Sequence, residues 1–205
     1  MTSVRFPTIA VATRNKGKLR EFRTLLEPLK SEILSLADLS IDAEFEESGG
    51  TFAENARLKA LECSRLAARF PVLADDSGLE VFALGGRPGI YSARYAGPDA
   101  SDSDRVRKLL EELKPFGSNR DARFVCALAL AQSGNLLIET EGECRGTIAE
   151  QPRGYNGFGY DPVFFFPELG KTYAELSEAE KNLHSHRARA VSSLIKMLRR
   201  SEPRP

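Results

Sequence analysis

Apolar residues along the chain follow two rhythms, one of strands and one of helices. Thr8–Ala12 is a compact apolar run suited to a first strand. After a polar turn, Leu19, Phe22, Leu25, Leu26 and Leu29 recur at helical spacing, which predicts a helix starting near Lys16. Glu32–Leu36 predicts a second strand. Thr51-Phe52-Ala53-Glu54 matches a capping box, with Thr51 as N-cap and Glu54 at the third helical position. That helix is expected to run to about Arg69 and to be ended by Pro71. Val72-Leu73-Ala74 suits a short buried strand, which Gly78 is expected to break. A second apolar stretch, Leu79–Leu84, leads into Gly85-Gly86-Arg87-Pro88-Gly89, too rich in Gly and Pro for helix or central strand.

The second half continues the mixture. Val106, Leu109, Leu110 and Leu113 mark an amphipathic helix closed by Pro115. Ala122–Ala131 reads as a buried strand, Ser133-Gly134-Asn135 as a turn, and Leu136–Glu143 as the hairpin partner, with Gly146–Glu150 extending the sheet. The glycine-rich segment Gly154–Pro162, carrying Tyr155, Phe158 and Tyr160, precedes a strand at Val163–Phe166. Ala174–Asn182 reads as helix, and Ser185 is placed to cap a last helix whose core face is Val191, Leu194, Ile195 and Leu198. Hairpin-like connections late in the chain favour a mixed α/β sheet over a doubly wound one.

Composition narrows the class. The 205 residues suffice for one domain, with room for two lobes. Lys+Arg and Asp+Glu both number 29, and this neutrality argues against a nucleic-acid binder that relies on a basic excess. No apolar run reaches bilayer length, so no membrane span is expected. Met1–Ala12 lacks the long apolar region of a signal peptide, and Ser201–Pro205 looks loose. Cys63, Cys126 and Cys144 are widely spaced with no C-x-x-C pair, which suits reduced thiols in a cytoplasmic protein better than a disulfide or zinc framework.

Four places carry chemistry. The Thr13–Lys18 turn leads from a strand into a helix, where free N–H groups and the helix dipole favour an anion. Asn15 suits a cap or a phosphate ligand, and Lys18 adds a cation one turn in; a capped helix with solvated lysines explains the same residues. It is not a Walker A loop, and the later Gly170-Lys171-Thr172 lacks the leading glycine, since residue 165 is Phe. Asn55 and Lys59, four apart, share a helix face. Asp75 and Asp76, neighbours on a strand, point to opposite faces and should do different jobs; a surface turn is the plain alternative. With Glu46 and Glu47 in the acidic run before Thr51, they make a carboxylate cluster. The Gly154–Pro162 loop lets backbone approach a flat ligand and offers rings for stacking. From Lys181 to Arg200 the chain has six basic residues and no acidic one. His184 and His186, two apart, would not share a metal on a helix.

Six motifs in order then become specific: T-R-N-K-G-K, E-E-S-G-G-T-F-x-E-N-A-x-x-K-A, A-D-D-S-G-L, L-G-G-R-P-G-I-Y-S-A-R-Y-A-G, F-G-Y-D-P and K-x-x-x-S-H-R. Together, over Val11 to about Arg187, they resemble the non-canonical purine nucleoside triphosphate pyrophosphatases, the inosine/xanthosine triphosphatase family. The resemblance implies a two-lobed α/β fold with a long mixed twisted sheet, an active-site cleft between the lobes, and a homodimer. It implies Mg²⁺-dependent hydrolysis of ITP, dITP and XTP to monophosphate and pyrophosphate. It maps Thr13, Arg14, Asn15, Lys16, Gly17 and Lys18 onto the triphosphate loop, and Asp76 onto the general base. Glu46 with Asp76 falls on the magnesium site, Glu47 and Asp75 being the alternatives one position away. Ser77, Phe158, Gly159, Tyr160, Asp161, Lys181, His186 and Arg187 fall on substrate contacts, with Asn55 and Lys59 expected near the phosphates. Asn156 departs from the small residue common before Gly157. A nucleotide sensor without turnover is the rival reading; the carboxylate surplus disfavours it, because excess negative charge weakens anion binding unless a cation bridges it.

Overall fold

The computed structural model describes residues 6–200; the expectation of a loose Ser201–Pro205 lies outside them. The described residues form a seven-stranded sheet in the order β2-β1-β3-β4-β5-β6-β7. Its strands are β1 (Thr8–Ala12), β2 (Glu32–Ser35), β3 (Val72–Val81), β4 (Asp121–Gln132), β5 (Asn135–Ile148), β6 (Phe164–Phe166) and β7 (Lys171–Thr172). The helices are α1 (Lys16–Leu26), α2 (Phe52–Leu66), α3 (Asp102–Leu113), α4 (Glu178–His184) and α5 (His186–Arg200). β1 pairs in parallel with β2 and β3, while β6 pairs antiparallel with both β5 and β7, so the sheet is mixed, as its hairpin-like connections predict. Ser133 and Gly134 both take positive φ, the geometry of the two-residue hairpin turn between β4 and β5.

The chain divides into two compact units. Unit 1 comprises Met1–Asp76, Cys126–Gly142 and Arg187–Pro205, and unit 2 comprises Ser77–Val125 and Glu143–His186. Unit 1 buries Ile9, Val11 and Leu73 with Phe22 and Leu26 of α1 and Val191, Leu194 and Leu198 of α5. The α1 and α5 residues among them belong to the sets whose spacing predicted those helices. Unit 2 buries Leu79 and Val81 with Val106, Leu109 and Leu113 of α3, and an aromatic group of Phe124, Phe164, Phe166 and Tyr173.

Three elements depart from the sequence expectation. Gly78 does not break the strand: β3 continues through Asp75-Asp76-Ser77-Gly78 to Val81. Its place beside β4 in the sheet outweighs the poor strand propensity of Asp and Gly. α2 stops at Leu66, short of Arg69. Its capping box is half made, because Thr51 accepts from the Glu54 N–H while the Glu54 carboxylate accepts from Gly50. The helix expected over Ala174–Asn182 is interrupted. A single 3₁₀ turn covers Tyr173–Glu175, and α4 then starts at Glu178 behind Ser177, whose capping box with Glu180 is complete.

Candidate active site

The site in unit 1 follows from where β1 stops. β1 pairs with β3 only as far as Ala12 opposite Ala74. Beyond that register β1 turns away through Thr13–Asn15 into α1, and β3 carries on beside β4 with Asp75 and Asp76 past the end of β1. The two carboxylates point to opposite faces, as the period of a strand requires. Asp75 shares the side of Leu73 and meets cations: Lys18 Nζ of α1 lies 2.8 Å from its Oδ2, and Arg187 Nη2 of α5 lies 3.8 Å away. Asp76 faces α2, where Asn55 Nδ2 donates to its Oδ2 at 2.9 Å. Asn55 is itself fixed, because its Oδ1 accepts the Gly49 N–H at 2.8 Å.

The two environments drive the carboxylates apart. Burial works against the charge on Asp75, but Lys18, Arg187 and Lys59 outweigh it and hold the group at about 2. Burial pushes Asp76 up to about 6; the Asn55 hydrogen bond, Lys18 and Lys59 act in the opposite direction, and the negative charge of Glu47 reinforces the rise. Glu47 lies within reach of the same cluster: Lys59 Nζ donates to Glu47 Oε1 at 2.6 Å and to the Asp75 carbonyl at 3.1 Å. Lys59 is half-buried, and desolvation disfavours its charge, yet Asp75 and Glu47 raise its pKa and keep it an ammonium. Glu46 is exposed.

The Thr13–Lys18 turn is built largely as predicted. Asn15 caps α1 by accepting the Lys18 N–H at 3.0 Å, and Thr13 Oγ1 accepts the Asn15 N–H at 3.2 Å. Lys16 and Gly17 begin the helix with their N–H groups at its positive end. Arg14 pairs with Asp42 at 2.8 Å and with the Ala43 carbonyl at 3.0 Å.

Arg187, which the resemblance maps onto a substrate contact, lies in the interior of unit 1. It is 1% exposed, pairs with Glu21, and lies 5.6 Å over the Phe22 ring. It anchors α5 to α1 and to Asp75 within unit 1. Glu21 was not singled out in the sequence. Its only sign is a position three after Lys18, beside the inward-facing Phe22.

Unit 2 gathers a second set. Lys181 Nζ lies 2.6 Å from Asp161 Oδ2 and 4.7 Å from the centre of the Phe158 ring. Asp161 Oδ2 also accepts the Phe158 N–H at 2.9 Å. His186 stacks on Phe124 at 4.7 Å with a 12° interplanar angle, whereas His184 packs near Phe166. Tyr160 is 4% exposed and donates its hydroxyl to the Ser92 carbonyl, so it supports the loop from inside. Asn156 donates to the Leu176 carbonyl at 3.0 Å, a tie that a small residue could not make. Ser77 is half-buried on β3.

Fold and site together define a mixed α/β protein with a buried acid–lysine centre on a central strand. The chain belongs to the Ham1 family, whose sequence profile matches residues 9–197. A dITP/XTP pyrophosphatase of Geobacillus kaustophilus is 54% identical over 187 residues, 91% of each chain. The Bacillus subtilis protein of the same name is 49% identical, covering 92% of this chain and 95% of its own. A solved Ham1 protein of Coxiella burnetii superposes with a TM-score of 0.85 at 41% identity, covering 95% of this chain and 99% of its own.

Proposed function

We propose that this chain hydrolyses dITP, ITP and XTP to the nucleoside monophosphate and pyrophosphate, and so cleanses the nucleotide pool. The observation that carries the reading is the split between Asp75, held at about 2, and Asp76, raised to about 6, on neighbouring residues of one strand. The relatives' name, dITP/XTP pyrophosphatase, supports the substrate class. Asp75 stays ionised and fixes Lys18 and Arg187. Asp76 is the general base: it accepts the proton of the water that attacks the α-phosphorus, and pyrophosphate leaves. Such help is typically worth about 10²–10⁴-fold. Lys18, Lys59 and the start of α1 bind the triphosphate. Phe158 stacks on the base and Lys181 donates to its 6-keto oxygen, an acceptor that adenine lacks.

Magnesium suits the donor set. Its protein ligands are oxygens and it commonly keeps several waters, so one or two carboxylates suffice. Among the described residues no group of three or more His, Cys, Asp or Glu side chains is gathered, the pattern expected of a fuller protein cage. Asp76 with Glu47 would hold the ion, because it is the charge of Glu47 that reaches Asp76, while Glu46 is exposed. When bound, the metal offsets charge on the phosphate oxygens and on the leaving pyrophosphate. A homodimer belongs to the same proposal; Phe82 and Tyr91, exposed apolar residues of unit 2, are candidates for its contact. Light scattering would report the mass.

The test is a panel of ITP, dITP, XTP, GTP and ATP with Mg²⁺, scored for pyrophosphate against phosphate. ITP, dITP and XTP should lead with pyrophosphate as product, and GTP should be the leakiest standard substrate because it shares the 6-keto oxygen. Tight binding without turnover would favour the sensor. Release of single phosphates would overturn attack at the α-phosphorus.

A further inference from the structure

The motif L-G-G-R-P-G-I-Y-S-A-R-Y-A-G, Leu84–Gly97, has no role in the chemistry above. Its structure within unit 2 supplies one. Gly89–Arg94 is a 3₁₀ helix. Ser92 Oγ donates to the Gly89 carbonyl at 2.6 Å and accepts the Leu79 N–H of β3 at 2.9 Å. The Ser92 carbonyl accepts the Tyr160 hydroxyl at 3.0 Å. The next carbonyl, Ala93, accepts from Arg105 Nη1 at 2.9 Å, and the same nitrogen donates to the Ala100 carbonyl at 2.6 Å. Arg105 Nη2 in turn pairs with Asp102 Oδ1 at the start of α3. The other oxygen of that carboxylate, Asp102 Oδ2, accepts the Gly159 N–H at 2.7 Å.

The motif therefore reaches two successive residues of the aromatic loop, Gly159 through Asp102 and Tyr160 through Ser92. Tyr160 is buried and cannot swing out without breaking its bond. Gly159 has a positive φ and no side chain to pack, and its N–H ties it to Asp102. A hollow of about 420 Å³, with Val106, Leu110, Pro152 and Pro162 in its lining, borders the loop at Gly159. On that side the loop faces space instead of packing, and a segment with few packed neighbours is held by its hydrogen bonds.

We propose that Asp102 is a positioning residue for base recognition: locked by Arg105, it holds the Gly159 N–H and so sets the Phe158–Asp161 loop and the Phe158 ring beside Lys181. The proposal rests on the reading of Phe158 and Lys181 as base contacts. A carboxylate acceptor engaged by a guanidinium makes a stronger bond than a neutral one. Asp102→Ala removes it, whereas Asp102→Asn keeps an acceptor oxygen without the charge.

The experiment uses the full chain with both variants, steady-state kinetics on dITP and dATP, and amide hydrogen exchange over the loop. Asp102→Ala should raise KM for dITP about tenfold, the scale of one charge-assisted hydrogen bond, with kcat within about threefold. The dITP-to-dATP ratio of kcat/KM should shrink, and Asp102→Asn should recover most of both. Exchange at residues 158–161 should quicken in Asp102→Ala and less in Asp102→Asn, with the rest of the chain unchanged. A fall in kcat with the ratio unchanged is what a merely structural role would give, and it would overturn the proposal. Loop amides that exchange as in the wild type would overturn it too. A wild-type protein that releases no pyrophosphate from dITP would defeat the functional reading instead, and the exchange result would still decide the tether.

Discussion

Asp75 and Asp76 differ by one position and should respond to the same substitution in opposite ways. Asp75 is 1% exposed and answers two buried or half-buried cations, so Asp75→Asn takes the paired carboxylate from Lys18 and leaves Arg187 to Glu21 alone. Breaking one side of a buried pair typically costs about 3–5 kcal/mol, and a comparable loss is expected in urea unfolding near neutral pH. Asp76 carries the opposite sign. Its folded pKa, about 6, lies above the unfolded value of 3.8, so its contribution to stability is fully present below about 4 and is lost as pH rises through 6. Asp76→Asn removes that charge and leaves an oxygen to accept from Asn55. It should therefore be neutral or stabilising at pH 7 while lowering turnover by at least about 10²-fold. A variant as active as the wild type at saturating substrate and metal would remove Asp76 from the base role. Activity restored by added metal would assign it to the ion alone. The strand period made this division legible in the sequence. The role of Arg187 was not legible, because its partner Glu21 lies 166 positions away and no local pattern signals a charge pair inside a core. Arg187→Ala should accordingly destabilise unit 1 and lower the rates for ITP and ATP together. A selective change in their ratio would instead give Arg187 a part in choosing the base.

Among the elements, those set by local rules could be read and those set by distant partners could not. α1 and α3 announced themselves through apolar spacing, and α1 also through its Asn15 cap, whose bond to Lys18 closes within three residues. β3 defeated the reading at Gly78 because its support comes from neighbouring strands far away in sequence. The break before α4 was missed because Thr172 and Ser177 each begin their own capped turn five residues apart. The aromatic loop is the element most exposed to test. Gly157 has a positive φ, and a Cβ there would stand 2.0 Å from Asp161 Oδ2. That oxygen cannot retreat without loosening Lys181 at 2.6 Å and the Phe158 N–H at 2.9 Å. Gly157→Ala should therefore raise KM for dITP by about tenfold or more, in proportion to the lost hydrogen bonds, with a smaller effect on kcat. Unchanged KM would mean that the loop accommodates the methyl without moving Asp161, and that the Lys181–Asp161 pair does not set affinity.

At the scale of the whole molecule, equal numbers of acidic and basic residues hide an uneven response to pH, because the groups that matter are the buried ones. On the acid side Asp75 dominates. Its folded pKa of about 2 lies below 3.8, so its stabilisation is present above about 4 and is lost as pH falls towards 2. On the alkaline side the buried thiols take over. Burial pushes Cys63 up to about 11 and Cys126 up to about 12, against 9.0 for an ordinary thiol. Burial likewise raises Tyr95 and Tyr160 above the ordinary phenol value. In each case the folded chain keeps a proton that the unfolded chain releases. Stability must then fall as pH climbs above about 9, by up to about 1.4 kcal/mol per pH unit for each thiol so held. Urea unfolding from about pH 3 to pH 11 should show a plateau only between about pH 6, where the Asp76 contribution has been lost, and about pH 9, with the alkaline limb softened when Cys126→Ser removes one thiol. The same burial should keep Cys63, Cys126 and Cys144 unreactive towards a thiol reagent in the native protein at pH 8 and make all three titrate in denaturant. A thiol that labels quickly in the native state, or a stability that continues to rise past pH 9, would mean that these side chains reach solvent and that the interior of unit 1 around Cys126 is more open than its packing indicates.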